Sequence, residues 1–154
     1  MKDFHLSESI ASIGYGAFEG CACLTSFKIT KIENSTLKGG KSLLPIEIPT
    51  QVTYIGPYAF SECSSITAIS FPEKLTIISD YVLYSCKILT AFTIPKNTKS
   101  IGKNAFNKCI DLLSIEIPDE VESIAPYAFS ECSSITTISF PEKLTIISDL
   151  VLSS

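Results

Sequence analysis

This 154-residue sequence has very little of what marks a catalytic or nucleic-acid-binding chain. Its one histidine, His5, stands near the N-terminal end with no serine or cysteine singled out beside it, which leaves no nucleophile–base pair to build on. There is no basic patch with interleaved aromatics, so nucleic acid is not an expected partner. No apolar run approaches the ~20 residues of a membrane-spanning helix, and membrane insertion is not expected. Residues 1–20 carry no charged leader followed by an apolar stretch, so no signal peptide is visible. CxxC pairs with polar surroundings are absent too, and no metal or other cofactor is expected. What the chain does have is apolar content: 45% hydrophobic residues at a net charge of −4, a composition that folds.

That content is periodic. Prolines 49, 72, 95, 118 and 141 are spaced by 23 residues, as are Ile55, Ile78, Ile101, Ile124 and Ile147. Cys63, Cys86, Cys109 and Cys132 keep the same step. The stretch PYAFSECSSITAISFPEKLTIISDYVL at 57–83 returns at 126–152 with two changes, Ala68 to Thr137 and Tyr81 to Leu150. Its offset of 69 is three periods, the mark of a duplicated three-repeat block. A short unit occupies 30–48, and a full one fits Phe4, Leu6, Ile10, Ile13, Ala17, Phe18 and Cys21. The expected organisation is a single domain over 1–154 with about six to seven repeats. Both of its ends are expected to be uncapped, as in a fragment, and so to invite homo-oligomerisation.

Within one unit, Ile69-Ser70-Phe71 alternates as a short strand does, and Pro72 ends it because proline offers no N–H to a ladder. A second extended piece is expected around Leu75 and Ile78. Gly56-Pro57-Tyr58-Ala59-Phe60 predicts a turn entering a short helical segment. A 23-residue unit buries too little to fold alone, so the coils must stack and share a core.

The unit resembles the BspA-like leucine-rich repeat, which runs roughly L-x-x-I-x-I-P-x-x-V-x-x-I-G-x-x-A-F-x-x-C. Residues 112–132, LLSIEIPDEVESIAPYAFSEC, match nearly every specified place, and the resemblance extends over essentially the whole chain. It implies a β-rich repeat solenoid: a right-handed stack with a parallel sheet on one face and short turns or helical segments on the other. It also implies a non-enzymatic surface protein that binds or adheres to a protein ligand such as a host or matrix protein. The alternatives are an intracellular scaffold or regulatory subunit in the cytoplasm, suggested by the missing signal peptide, and a self-assembling structural array.

The candidate ligand-facing sheet column is His5, Lys28, Glu47, Ser70, Thr93, Glu116 and Ser139. A second exposed column beside it runs Ser26, Pro45, Ala68, Ala91, Ser114 and Thr137, so the face is expected to be flat and weakly charged. Glu47 and Glu116 lie about 14 Å apart by strand spacing, too far for a glycosidase pair at roughly 5–9.5 Å. Cys21, Cys63, Cys86, Cys109 and Cys132 form a column read as free, buried thiols with a structural role, while Cys23 stands apart. Tyr58, Tyr81, Tyr84 and Tyr127 fall on the opposite, turn-rich side as further contact candidates. Asn34-Ser35-Thr36 is a glycosylation sequon.

Overall fold

A computed structural model describes residues 12–14, 16–17, 31–40 and 48–153. The described chain winds as a parallel β-solenoid, and each full coil contributes two very short strands. Two-residue strands lie at Ser12–Ile13 (β1), Lys31–Ile32 (β2), Tyr54–Ile55 (β3), Ile77–Ile78 (β5), Ser100–Ile101 (β7), Ser123–Ile124 (β9) and Ile146–Ile147 (β11). Three-residue strands lie at Ala68–Ser70 (β4), Ala91–Thr93 (β6), Ser114–Glu116 (β8) and Thr137–Ser139 (β10). Every ladder is parallel and, from β3 onward, pairs residues one 23-residue period apart, such as Ile78 with Ile101 and Ile69 with Phe92. The deletion of the short unit is taken up between β1 and β2, where Ile13 pairs with Ile32 only 19 residues on, and Ile32 then pairs with Ile55 at the full period. Among the described residues no helix is long and apolar enough to cross a membrane.

The proline columns act as the sequence suggests. Pro72, Pro95 and Pro118 each follow a strand, and their carbonyls accept the N–H three residues on, from Leu75, Thr98 and Val121, each at 3.0 Å. The exposed–buried–exposed pattern of β4, β6 and β8 sends the middle side chain of each inward.

The expected helical segment is not there, and no helix occurs among the described residues. From Gly56 to Cys63 the N–H groups alternate between two kinds of partner. Ala59, Ser61 and Cys63 bond three residues back, to Gly56, Tyr58 and Phe60. Tyr58, Phe60 and Glu62 instead donate to Asp80, Val82 and Tyr84 of the next coil at 3.1, 2.9 and 2.7 Å. A helix would direct those donors back along its own segment and leave the coils unjoined on this side. The alternation needs two left-handed residues per coil, including Tyr58 (φ 59°), Glu62 (φ 60°), Tyr81 (φ 55°), Asn104 (φ 54°) and Tyr127 (φ 61°). Left-handed backbone costs about 1–2 kcal/mol at a non-glycine residue, and the inter-coil hydrogen bonds hold it in place.

Phe60, Phe106 and Phe129 are fully buried at equivalent places, and the aromatic contacts continue from coil to coil. Ring centroids are 5.8 Å apart for Phe60–Phe71, 5.0 Å for Phe71–Phe92, 5.0 Å for Phe92–Phe106 and 5.2 Å for Phe106–Phe129. Beside them runs the thiol column. Cys63, Cys86, Cys109 and Cys132 are all free. Each Sγ–H donates to a carbonyl 26 residues earlier: Leu37, Phe60, Leu83 and Phe106, at 3.1, 3.1, 3.3 and 3.0 Å. Cysteine suits the position because it is small, apolar and still carries one weak donor. Cys21 and Cys23 lie outside the described residues.

Gly56 and Gly102 mark where coils approach most closely. A Cβ at Gly102 would sit 2.6 Å from the Asp80 backbone nitrogen and 2.8 Å from the Ile78 carbonyl oxygen. In both cases the preceding coil carries an Asx residue, Asn34 or Asp80, and Asp80 Oδ1 accepts the Lys103 N–H at 2.8 Å. At Ser79, one of two serines in this column with Ser148, the hydroxyl donates to the Ile55 carbonyl, and no ladder joins β3 to β5, whereas β9 and β11 stay paired beside Ser148.

Candidate functional site

The described part of the candidate sheet column is on the surface. Ser70, Thr93, Glu116 and Ser139 are all exposed and occupy the last places of β4, β6, β8 and β10. Register brings Ser70 beside Thr93 and Ser139 beside Glu116. His5, Lys28 and Glu47 lie outside the described residues, so the Glu47–Glu116 separation is not measured.

The face is not the continuous flat sheet that its small residues suggest. β4–β6 and β8–β10 form separate two-stranded ladders, and β6 lies against β8 without one. The break falls at Phe92, the one aromatic among the described members of a core column that otherwise holds Ile69, Ile115 and Ile138. There a groove of about 620 Å³ opens, lined by Thr93, Lys96, Glu116, Pro118, Asp119 and Glu120 among others. Its rim is charged. Lys99 hydrogen-bonds Glu120, Lys143 reaches the same carboxylate at 3.3 Å, and Lys99 also pairs with Glu122 at 3.7 Å. The bond from Lys99, then that from Lys143, holds the Glu120 carboxyl below its usual range, and Glu120 in turn raises Lys99. These groups are solvent-exposed, so they define a pattern of charge more than they add stability. An exposed surface with a shaped groove and mixed charge is equipped for binding.

The tyrosines sit on the turn side. Tyr58 and Tyr81 stack with centroids 4.5 Å apart and planes within 10°, and Tyr81 meets Tyr84 at 5.7 Å. Lys108 lies over the Tyr84 ring at 5.7 Å. Beyond Tyr81 a second hollow, of about 580 Å³, includes Lys103, Asn104, Asn107 and Tyr127 in its lining. The two asparagines escaped the reading of the sequence. The available signal was Asn104 itself, which interrupts a tyrosine column.

The described thiols offer no reactive site. Burial pushes Cys63 and Cys132 up to about 12 and raises Cys86 and Cys109 well above the ordinary thiol range. Among the described residues no group of three or more His, Cys, Asp or Glu is placed to hold a metal ion.

Comparison with known proteins agrees with this architecture. The family model described as "BspA type Leucine rich repeat region" matches in six copies over residues 1–111 and 30–154. No protein of curated function matches the chain. Among solved structures, a leucine-rich repeat protein of Treponema pallidum is similar at a TM-score of 0.85 and 29% identity, covering 92% of this chain and 71% of that one. A leucine-rich cell surface protein of Faecalibacterium prausnitzii A2-165 is similar at 0.62 and 29%, covering 88% of this chain but 31% of its own. A leucine-rich repeat protein from Bacteroides ovatus ATCC 8483 matches at 0.71 and 25%, with 87% of this chain and 42% of that one covered. The 23-residue period, the parallel coils and the family model agree: the chain belongs to the BspA-type leucine-rich repeat family.

Proposed function

We propose that this chain is a non-catalytic recognition module of a cell-surface protein, one domain over 1–154 that binds a protein ligand on its exposed sheet face. The observation that carries this reading is the groove between β6 and β8, flanked by Thr93 and Glu116 and rimmed by Lys96, Asp119 and Glu120. It joins shape to charge on a surface whose other strand residues are small. The F. prausnitzii protein named for the cell surface supports the location.

The test is binding of the chain to immobilised matrix and host-surface proteins, with the Thr93→Arg/Glu116→Arg double variant as control. Binding to one of them that the double variant loses supports the reading. Retention by the variant moves the site off this face. Surface labelling of intact source cells separates a surface module from a cytoplasmic scaffold, which labelling does not reach.

A further inference from the structure

One position of the turn face is occupied by tyrosine in three coils: Tyr58, Tyr81 and Tyr127. All three are left-handed, a conformation that suits glycine or asparagine and that an aromatic residue enters at a cost. The ladder of inter-coil hydrogen bonds explains the conformation but not the choice of tyrosine, since Asn104 takes the same conformation in the same column. Tyr58 and Tyr81 show the packing that the column makes when adjacent coils both carry the ring, a face-to-face stack at 4.5 Å. At Asn104 the stack has a missing member. The hollow of about 580 Å³ stands there, with Tyr81 and Tyr127 among its lining residues.

The most buried residues of the hollow's lining are polar: Asn104, Asn107 and Ser130. Asn107 donates from Nδ2 to Asn104 Oδ1 at 2.6 Å, and both residues are more than nine-tenths buried. Asn107 Oδ1, by contrast, has no hydrogen-bond partner. A buried acceptor left unpaired is unusual in a folded protein and needs an explanation. Lys103, Ser130 and Glu131 add a cation, a hydroxyl and a carboxylate to the same lining. The backbone beneath is held on both sides, by Asn104 N–H to Pro126 O at 3.1 Å in the following coil and by Ser85 N–H of the preceding coil to Asn107 O at 2.8 Å. The backbone of the site is therefore fixed.

We infer that this hollow binds one pyranose unit of a glycan, sandwiched between the Tyr81 and Tyr127 side chains over the Asn104–Asn107 amide pair. The proposal goes beyond protein recognition on the sheet face and uses the opposite side of the solenoid. Two considerations favour a sugar over a flat aromatic ring. Tyr81 and Tyr127 are two coils apart, roughly 9–10 Å by strand spacing. A flat ring in contact with both at about 3.5–4.0 Å fills only 7–8 Å, whereas a chair-shaped ring with axial hydrogens is thicker. The lining also mixes donors and acceptors, the complement of a ring bearing several hydroxyls that each donate and accept. Asn107 Oδ1 is closed to solvent in the unbound site, so a sugar hydroxyl donates to it only once the amide turns towards the hollow.

The test is titration of the purified chain with a panel of methyl pyranosides and their disaccharides, followed by tyrosine fluorescence. With no tryptophan in the sequence, the signal reports the tyrosines alone. At least one sugar is expected to bind. Asn104→Tyr should weaken that sugar about tenfold or more, because it inserts the ring that the neighbouring coils carry at this backbone position. Tyr81→Ala should weaken it comparably, and Thr93→Arg/Glu116→Arg on the sheet face should leave it unchanged. Thermal melts confirm that each variant is folded. Silence across the whole panel, or binding indifferent to both Asn104→Tyr and Tyr81→Ala, overturns the proposal. So does binding of N-acetyltyrosinamide in place of the sugars, which would assign the hollow to an aromatic side chain. Because the two faces are tested with different ligands and different variants, failure here is distinguishable from failure of the recognition reading.

Discussion

Residues 57–83 and 126–152 are almost one sequence placed twice in the same molecule. Their local structure is the same. Leu75 N–H reaches Pro72 O at 3.0 Å and Leu144 N–H reaches Pro141 O at 3.1 Å, while Tyr81 and Leu150 sit at φ 55° and 57°. Their burial is not the same. Ile78 is 0% exposed and its counterpart Ile147 is 55%, and Phe71 and Phe140 are 7% and 37%. The first copy is packed between coils on both sides, whereas the coil ending at 153 has a described neighbour on one side only. A coil's own residues fix its path, including its left-handed turns. Its burial comes from the next coil. Stability in such a stack is therefore a sum of neighbour contacts, and one sequence contributes very different amounts at two places.

The largest expected effect comes from the thiol column that ties the inner coils together. The sign follows from where the protons are. Below about pH 9, the ordinary thiol value, the cysteines are protonated in both folded and unfolded chains and pH changes nothing. Above it the unfolded chain releases thiol protons that the folded chain keeps, because burial holds Cys63 and Cys132 up to about 12 and raises Cys86 and Cys109 as well. Stability should therefore fall from about pH 9 towards pH 12, by about 1.4 kcal/mol per pH unit for each buried thiol. Denaturant melts at stepped pH measure the slope. A Cys86→Ala chain should show a shallower slope than the parent, and an unchanged slope would remove the buried thiols as its cause.

The comparison itself can be broken with one substitution made at two places. Ile78→Ala should cost about 2–5 kcal/mol, as expected for a fully buried side chain whose surroundings relax only in part. Ile147→Ala, the same change in the same sequence, should cost under about 1 kcal/mol because half of the side chain is already in water. Urea melts of the two variants measure the difference directly. Equal losses would mean that Ile147 is covered in solution, whether by a second copy or by a shift of the last coil.

How much of this was legible depends on the range of the deciding contact. The core columns could be read because the apolar pattern of one unit repeats, and Phe60, Phe106 and Phe129 are buried as their shared column required. Gly-Pro-Tyr-Ala-Phe at 56–60 suggested a helix because such readings weigh neighbours a few residues apart. The partners that set its conformation, Asp80, Val82 and Tyr84, lie 22 residues further on. The break at Phe92 has a similar origin: a phenylalanine between Ile69 and Ile115 in the core column is visible in the sequence, but its effect on the ladder is a matter of packing. Of the candidate sheet column, four members are exposed and three lie outside the described residues.

The smallest expected effect concerns one of the two positions at which the copies differ. Tyr58 and Tyr127 are counterparts, and each is followed one coil later by the same left-handed place, filled by Tyr81 in one copy and Leu150 in the other. In the first copy the two rings stack at 4.5 Å. In the second, Leu150 is 54% exposed and offers Tyr127 no ring. Leu150→Tyr should restore the stack. The backbone already has the required φ, so the change adds no new conformational strain, and the ring gains a partner worth about 0.5–1.5 kcal/mol beyond its buried area. The realised gain should sit at the lower end, because the ring remains open to solvent on its outer face. A rise of a few degrees in melting temperature is the expected outcome. Leu150→Ala is the reference, because it removes the exposed leucine without supplying a ring. If Leu150→Tyr is no more stable than Leu150→Ala, stacking on the turn face contributes nothing to the fold, and the Tyr58–Tyr81 pair must owe its presence to something other than stability.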